Sequence, residues 1–213
     1  MGRHPDVERR QELLDEVVAY LAEHGLASVS LRPIAKALGV SVNALVHHFG
    51  AKDELVVAAL ARAAEVQARI EERWLGRQPD LTEADLLRRW WKWINASPAN
   101  LAAVRLGIEA AALDATVSGL PGAVRADQIL RWRANIEQRL VAEGMEPEQA
   151  AVEAPLVKAM FTGLVVDLLA TGERRRLTAS LEAGVARLER QLHPSVLRHS
   201  SAQRGTSPHQ TLG

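Results

Sequence analysis

Cysteine is absent from the 213 residues, which excludes disulfides, thiolate metal sites and a cysteine nucleophile. Histidine is missing over residues 54–192, so no Ser-His-Asp triad and no histidine-bound metal can form there. Phosphate-cradling loops are missing too: there is no GxGxxG and no Gly-rich Lys-Ser/Thr segment. The longest uncharged run, Ala37 to Ala51, is broken by Ser41, Asn43, His47 and His48. No apolar run approaches the ~18 residues that crossing a membrane requires. The start, Met1-Gly2-Arg3-His4-Pro5-Asp6, lacks the apolar core of a signal peptide. These absences lead to the expectation of a cytoplasmic protein with no membrane partner. Adjacent carboxylates such as Glu71-Glu72 read as a solvated helix face rather than an acid–base pair. No catalytic residue, metal ligand or cofactor is expected, and the chain does not read as an enzyme.

Net charge is absent as well, with 26 Lys and Arg against 26 Asp and Glu. A nucleic-acid-binding field over the whole molecule is thereby excluded. The distribution is uneven, however. From His24 to Lys52 there is no acid, while Arg32, Lys36 and Lys52 lie within that window. A surface that sits against phosphates needs such a clearing, because each carboxylate there would repel them. Chance within a mostly buried stretch gives the same pattern.

What the chain does have is helical grammar throughout. Alanine is abundant, period-two alternation is nearly absent, and Pro and Gly act as punctuation. A first helix over 6–23 carries Leu13, Leu14, Val17, Val18 and Leu21 as its stripe and ends at His24-Gly25. A short helix follows from Leu31 to Leu38, with Ser30 as its N-cap and Pro33 in its first turn. Gly39-Val40 turns the chain, and Ser41 caps a third helix over 42–48. A fourth runs from Ala51-Lys52 to about Trp74, and Leu75 to Asp80 reads as a loop. Longer helices follow over Thr82 to Asn95, Ala99 to Thr116, Pro121 to Glu143, Pro147 to Thr171 and 174–192, about nine in all. Pro155 is expected to kink the eighth. The Ser/Thr/Gln/His-rich tail 193–213 reads as disordered. The expected class is all-α: a head at 1–50 with a three-helix helix-turn-helix, and a helical bundle at 51–192.

Segment 31–50 carries the most specific signal. Two helices crossing at a sharp turn need a small residue at the crossing and one tolerant of positive φ at the turn. Ala35 and Gly39 stand at those positions, and Ile34, Leu38, Val40 and Leu45 fall where side chains must plug the joint. With the acid-free window, this spacing favours a DNA-binding helix-turn-helix over an ordinary helical hairpin. A helix beginning at Ser41 would enter the major groove with Val42, Asn43, Ala44 and His47 towards the bases. An amide such as Asn43 can pair bidentately with adenine, while Val42 and Ala44 can touch a thymine methyl. Arg32, Lys36 and Lys52 are candidates to grip phosphates, which sets register without reading sequence.

The stretch His24-Gly25-Leu26-Ala27-Ser28-Val29-Ser30-Leu31-Arg32-Pro33-Ile34-Ala35-Lys36-Ala37-Leu38-Gly39-Val40-Ser41, continued by His48-Phe49-Gly50-Ala51-Lys52-Asp53-Glu54-Leu55, resembles the DNA-binding domain of the TetR family. Ser30 and Ser41 match the hydroxyl caps, Phe49 the aromatic that locks the recognition helix, and Lys52 the phosphate-contacting lysine. Where the family usually has Gly-Thr-Leu-Tyr, this chain has Asn43-Ala44-Leu45-Val46, so two phosphate-bonding hydroxyls are replaced. The resemblance implies a homodimer that pairs through its last two helices, binds double-stranded DNA and takes a small-molecule effector in the C-terminal domain. The implied function is a ligand-released repressor on a near-palindromic operator. The competing expectation is a helical ligand- or partner-binding protein that has lost operator recognition.

In the helical body, Trp90, Trp91 and Trp93 lie within four residues, with Trp132 on another helix. Trp90, Trp93, Trp132, Met160 and Phe161 read either as core or as the wall of an effector pocket, with Arg105, Glu109, Asn135 and Thr162 as polar contacts. Leu177, Leu181, Val185, Leu188 and Leu192 form one stripe, and Met160 to Leu169 is a second apolar run. Both suit a four-helix dimer interface, with Gly163 and Gly184 allowing close approach; internal core is the other reading.

Overall fold

Proline and glycine divide the chain into helices much as their backbone preferences require. The computed structural model describes residues 4–27, 29–114 and 123–192. Among them are nine α-helices and no strand: α1 (His4–His24), α2 (Leu31–Ala37), α3 (Val42–Phe49), α4 (Lys52–Arg77), α5 (Glu83–Ala96), α6 (Pro98–Asp114), α7 (Ala123–Ala142), α8 (Pro147–Thr171) and α9 (Arg174–Leu192). Residues 115–122, which hold the expected α6–α7 turn, and the tail 193–213 lie outside the described residues.

Two features depart from the expected boundaries. Helix α4 runs through Leu75 and Gly76 to Arg77, one turn beyond the anticipated end. A single glycine costs only about 1 kcal/mol in a helix, and the stop comes where Pro79 forbids continuation. Ser30 occupies the N-cap position of α2 but makes no side-chain cap bond. The third helical residue is Pro33, which has no N–H to offer such a cap.

Two cores organise the helices. The first joins Leu13, Val17 and Leu21 of α1, Ile34 of α2, Leu45 and Phe49 of α3, and Leu55, Ala59 and Leu60 of α4. Leu106 and Ala110 of α6 complete it. The head is therefore sealed by the body's own helices α4 and α6. The second core gathers Leu87, Trp91 and Ile94 of α5, Ile136 and Leu140 of α7, Val157, Phe161 and Val165 of α8, and Leu177, Leu181, Val185 and Leu188 of α9. Thr82 and Asp85 start α5 with a reciprocal capping box: Thr82 Oγ1 accepts from Asp85 N at 3.1 Å, and Asp85 Oδ2 accepts from Thr82 N at 3.2 Å.

This second core corrects the reading of α9. Leu177, Leu181, Val185 and Leu188 are at most 2% exposed within a single chain, so the stripe is occupied by α5 and α8 and is not left for another subunit. Gly184 does serve a close approach, since a Cβ there would collide with Met160 of α8. Gly163, in contrast, faces open space.

Helix α8 is the most apolar segment. An 18-residue window within it has mean hydropathy 1.5, enough by length and composition alone to cross a membrane. Charged residues spaced along it keep it from reading as one apolar run. Its composition reflects two apolar faces. Ala150, Ala154, Val157, Phe161, Val165 and Leu168 are buried against the second core. On the opposite side, Val152, Leu156 and Val166 are exposed by 63%, 56% and 46%.

Candidate nucleic-acid interface

Helix α3 is fixed by two anchors one turn apart. Leu45 and Phe49 are buried in the first core, at 0% and 6% exposure. At its start, Ser41 adopts extended backbone and its Oγ accepts a hydrogen bond from Ala44 N at 3.0 Å. Before it, Gly39 holds φ at +67°, the left-handed conformation the turn requires. Val40 N donates to Ala35 O at 3.0 Å and closes the corner. At its end, Arg10 of α1 donates from Nε to the carbonyl of His48 at 3.1 Å. The Arg10 guanidinium also lies 5.0 Å from the centre of the Phe49 ring. A cation at the negative end of a helix dipole is favourable, so Arg10 is a positioning residue for α3.

These anchors turn the opposite face outward. Asn43 and His47, one turn apart, are exposed, and Ser41 is exposed beside them. Val42 and Ala44 are half-buried at the flanks. Val46, 45% exposed, stands three residues after Asn43 on the same face. It belongs with the outward set, and that helical spacing was the signal that would have found it. Arg32 and Lys36 of α2 are exposed on the neighbouring surface. Lys52 is exposed at the first turn of α4, with Nζ 3.4 Å from Asp53 Oδ1. An exposed pair of this kind holds a lysine only weakly. Glu54 is committed elsewhere: its Oε2 accepts from Ala51 N at 2.6 Å.

Arg105 and Glu109, possible polar contacts under the pocket reading, line neither of the two pockets described below. They reach from α6 to the end of α1. Arg105 Nη2 donates to Ala22 O at 2.6 Å and Glu23 O at 3.1 Å, while Glu109 Oε2 accepts from Leu26 N at 3.0 Å. Between these contacts Gly25 has φ +78°, and a Cβ there would lie 3.1 Å from Glu109. From α4, Arg62 adds a bidentate pair to Asp15 of α1, at 2.7 and 3.0 Å.

The aromatic residues form two groups instead of one wall. Trp74 and Trp93 each meet Trp90 edge-on, with ring centres 4.9 and 5.5 Å apart. Phe161, buried, takes Trp91 and Trp132 at 6.2 and 6.3 Å. Met160 fills the α8–α9 crossing at Gly184. Two surface pockets flank these groups. One, about 220 Å³, is lined by Ile70, Arg73, Trp74, Arg77 and Trp93. The other, about 470 Å³, is lined by Arg133, Pro155, Lys158, Ala159 and Thr162. Asn135 is exposed on α7 and lines neither.

The expectation that Glu71-Glu72 is a solvated pair holds for Glu72 only. The Glu71 side chain is 14% exposed and accepts from Arg139 Nη1 and Trp90 Nε1, both at 3.0 Å. Arg139 Nε also meets Glu83 Oε2 at 2.6 Å, and Glu83 is 2% exposed. Burial pushes the Glu83 carboxyl up to about 7, with Arg139 pulling the other way and Glu71 and Glu143 adding to the rise. This network ties α4, α5 and α7 together far from α3 in sequence.

Residues 13–59 match the sequence profile of the bacterial regulatory proteins of the tetR family. The HTH-type transcriptional repressor KstR2 of Mycobacterium tuberculosis is 44% identical over 48 residues, which is 22% of this chain and 24% of the relative. The match thus spans about a quarter of that repressor's length. A transcriptional regulator from Rhodococcus sp. Rha1 superposes with a TM-score of 0.70 at 24% identity, over 84% of this chain and 95% of that one. The multidrug binding protein EbrR, solved in complex with imidazole, superposes with a TM-score of 0.63 at 24% identity, over 88% and 93% of the two chains. The sequence likeness is concentrated in the head that carries α3, and the structural likeness extends over most of the body. Residues 13–59 are thus similar in sequence to the tetR-family bacterial regulatory proteins, and the described residues share the fold of these two solved structures.

Proposed function

We propose that the chain is a sequence-specific DNA-binding repressor that binds a near-palindromic operator as a homodimer and is released by a small molecule. The observation that carries this reading is the outward face of α3, with Asn43, Val46 and His47 exposed over the buried anchors Leu45 and Phe49. A B-form major groove admits one α-helix, so α3 reads bases there. Asn43 pairs with adenine; Val42, Ala44 and Val46 meet thymine methyls; His47 reaches a base edge or phosphate. Ser41 sits at the helix start near the backbone, and Arg32, Lys36 and Lys52 grip phosphates. These cations are too few per subunit for tight binding, and a second subunit doubles them, with recognition helices about 34–36 Å apart.

The exposed stripe on α8 supports the second subunit. Val152, Leu156, Ala159, Gly163, Val166 and Ala170 recur every three to four residues and are all exposed. An apolar helical face of this length is ordinarily covered, and α9, already packed beside α8, joins the same seam. EbrR, of the same fold, has been solved with imidazole bound. That supports a small-molecule effector in this body.

Selection of bound sequences from a random DNA pool tests the reading. The expected product is an inverted repeat with adenine and thymine at the positions facing Asn43 and Val46. Failure to enrich any sequence over the starting pool would overturn it.

A further inference from the structure

The larger of the two pockets holds an arrangement that packing alone does not explain. Arg133 of α7 and Lys158 of α8 share its wall, and among the described residues no carboxylate lines it. Neither cation makes an ion pair or hydrogen bond among the described residues. Two like charges placed together oppose one another, and burial together with Arg133 pushes the Lys158 ammonium below the usual lysine range. The Lys158 Nζ lies 5.6 Å from the centre of the Trp132 ring, so its close partner among the described residues is an aromatic face. The Thr162 hydroxyl makes no hydrogen bond there, although helical threonines such as Thr171 and Thr178 bond the carbonyl one turn back. Among the described residues, two cations without an anionic partner and a hydroxyl without a hydrogen bond therefore converge on one concave space of about 470 Å³, whose other described lining, Pro155 and Ala159, is apolar.

The geometry points to a binding site for a small organic carboxylate with an apolar body. A guanidinium fork matches both oxygens of a carboxylate, the ammonium supplies a second charge, and Thr162 donates a neutral bond. The apolar portion lies along Pro155 and Ala159. The volume falls within the ordinary range for small-molecule sites, roughly 300–1,000 Å³. Ala159 also belongs to the exposed α8 stripe, and Lys158 and Thr162 lie on the flank of that stripe nearest α7. Occupancy is measured without DNA, so this site stands or falls apart from operator binding.

The test uses the full-length chain and equilibrium dialysis at fixed ionic strength with three probes of equal ring size: 2-naphthoate, 2-naphthalenemethanol and 2-naphthylmethylammonium. The expected result is saturable binding of one naphthoate per chain, with the alcohol weaker by about tenfold and the ammonium weaker again. Substituting both cations, Arg133→Gln with Lys158→Gln, should weaken naphthoate by about tenfold and leave the alcohol unchanged. Thr162→Val should weaken it by roughly threefold. Circular dichroism checks that the variants fold, and the three-probe comparison on the unaltered chain needs no variant. Equal binding of all three probes, no saturable naphthoate binding, or undiminished naphthoate binding in the double variant overturns the assignment. A double variant that changes sedimentation behaviour but keeps its naphthoate affinity would assign the cations to a subunit contact instead.

Discussion

Replacing Glu83 with glutamine should remove one part of the protein's pH response. Glu83 is 2% exposed and touches the guanidinium of Arg139 at 2.6 Å. Two effects compete there. Burial penalises the charged carboxylate, and Arg139 rewards it. Burial wins, and the group rises from 4.5 to about 7. Between those two values the folded state holds a proton that the unfolded chain has released. Stability from this group is therefore fully present below pH 4.5 and is lost as the pH rises through about 7. A rise of that size corresponds to about 3 kcal/mol. Urea unfolding followed by circular dichroism from pH 4.5 to 8 measures it. Relative to Glu83→Gln, the unaltered protein should lose about 3 kcal/mol across that range. Were the Arg139 pair dominant, Glu83 would titrate below 4.5, and the unaltered protein would gain stability as the pH rose. A difference between the two proteins that is flat with pH, or that rises with it, refutes the reasoning.

Four further outcomes follow from the packing and the exposed surfaces of α3, α4 and α8. Leu181→Ala removes a side chain that is 1% exposed between α9 and its neighbours, and should cost about 2–5 kcal/mol in a denaturant titration; a loss under ~1 kcal/mol would mean the α9 stripe is not core. Leu156→Asp places a charge on the exposed α8 stripe, and sedimentation should report a dimer for the unaltered chain and a monomer for the variant, with the circular dichroism spectrum unchanged. On DNA, Asn43→Ala should relax base preference by ~1–3 kcal/mol at one position per half-site. Lys52→Ala should weaken all sequences alike and lower the slope of log affinity against log salt by about one per subunit; an unchanged slope would remove Lys52 from the phosphate contacts.

The helices were legible because their signals are local. Pro, Gly and Ser marked the ends, and the three-to-four-residue recurrence of Leu and Val marked the faces. The outward position of Asn43 and His47 was legible for the same reason: Leu45 and Phe49 had to point inward, and a helix fixes the rest. Periodicity states that a stripe is covered without saying by what, so the α9 stripe from Leu177 to Leu188 could not be assigned from sequence. On α8 the difficulty was the reverse, since two apolar faces on one helix blur into a single run. Polar partners far apart in the chain left no trace at all. Arg10 and His48 are 38 residues apart, and Glu71 and Arg139 are 68 apart. Ser30 shows a local rule defeated by another local rule, since Pro33 removes the donor that its hydroxyl would have met.

Arg105 and Glu109 sit one turn apart on α6 and hold the chain on both sides of Gly25, with Leu106 between them buried in the head's own core. Sliding α6 along its axis would have to break three polar bonds and unseat a leucine, whereas swivelling α6 and the head together breaks none of them. The joint therefore behaves as a welded corner. A displacement of α6 should therefore carry the end of α1 with it, since three polar bonds and the buried Leu106 join the two.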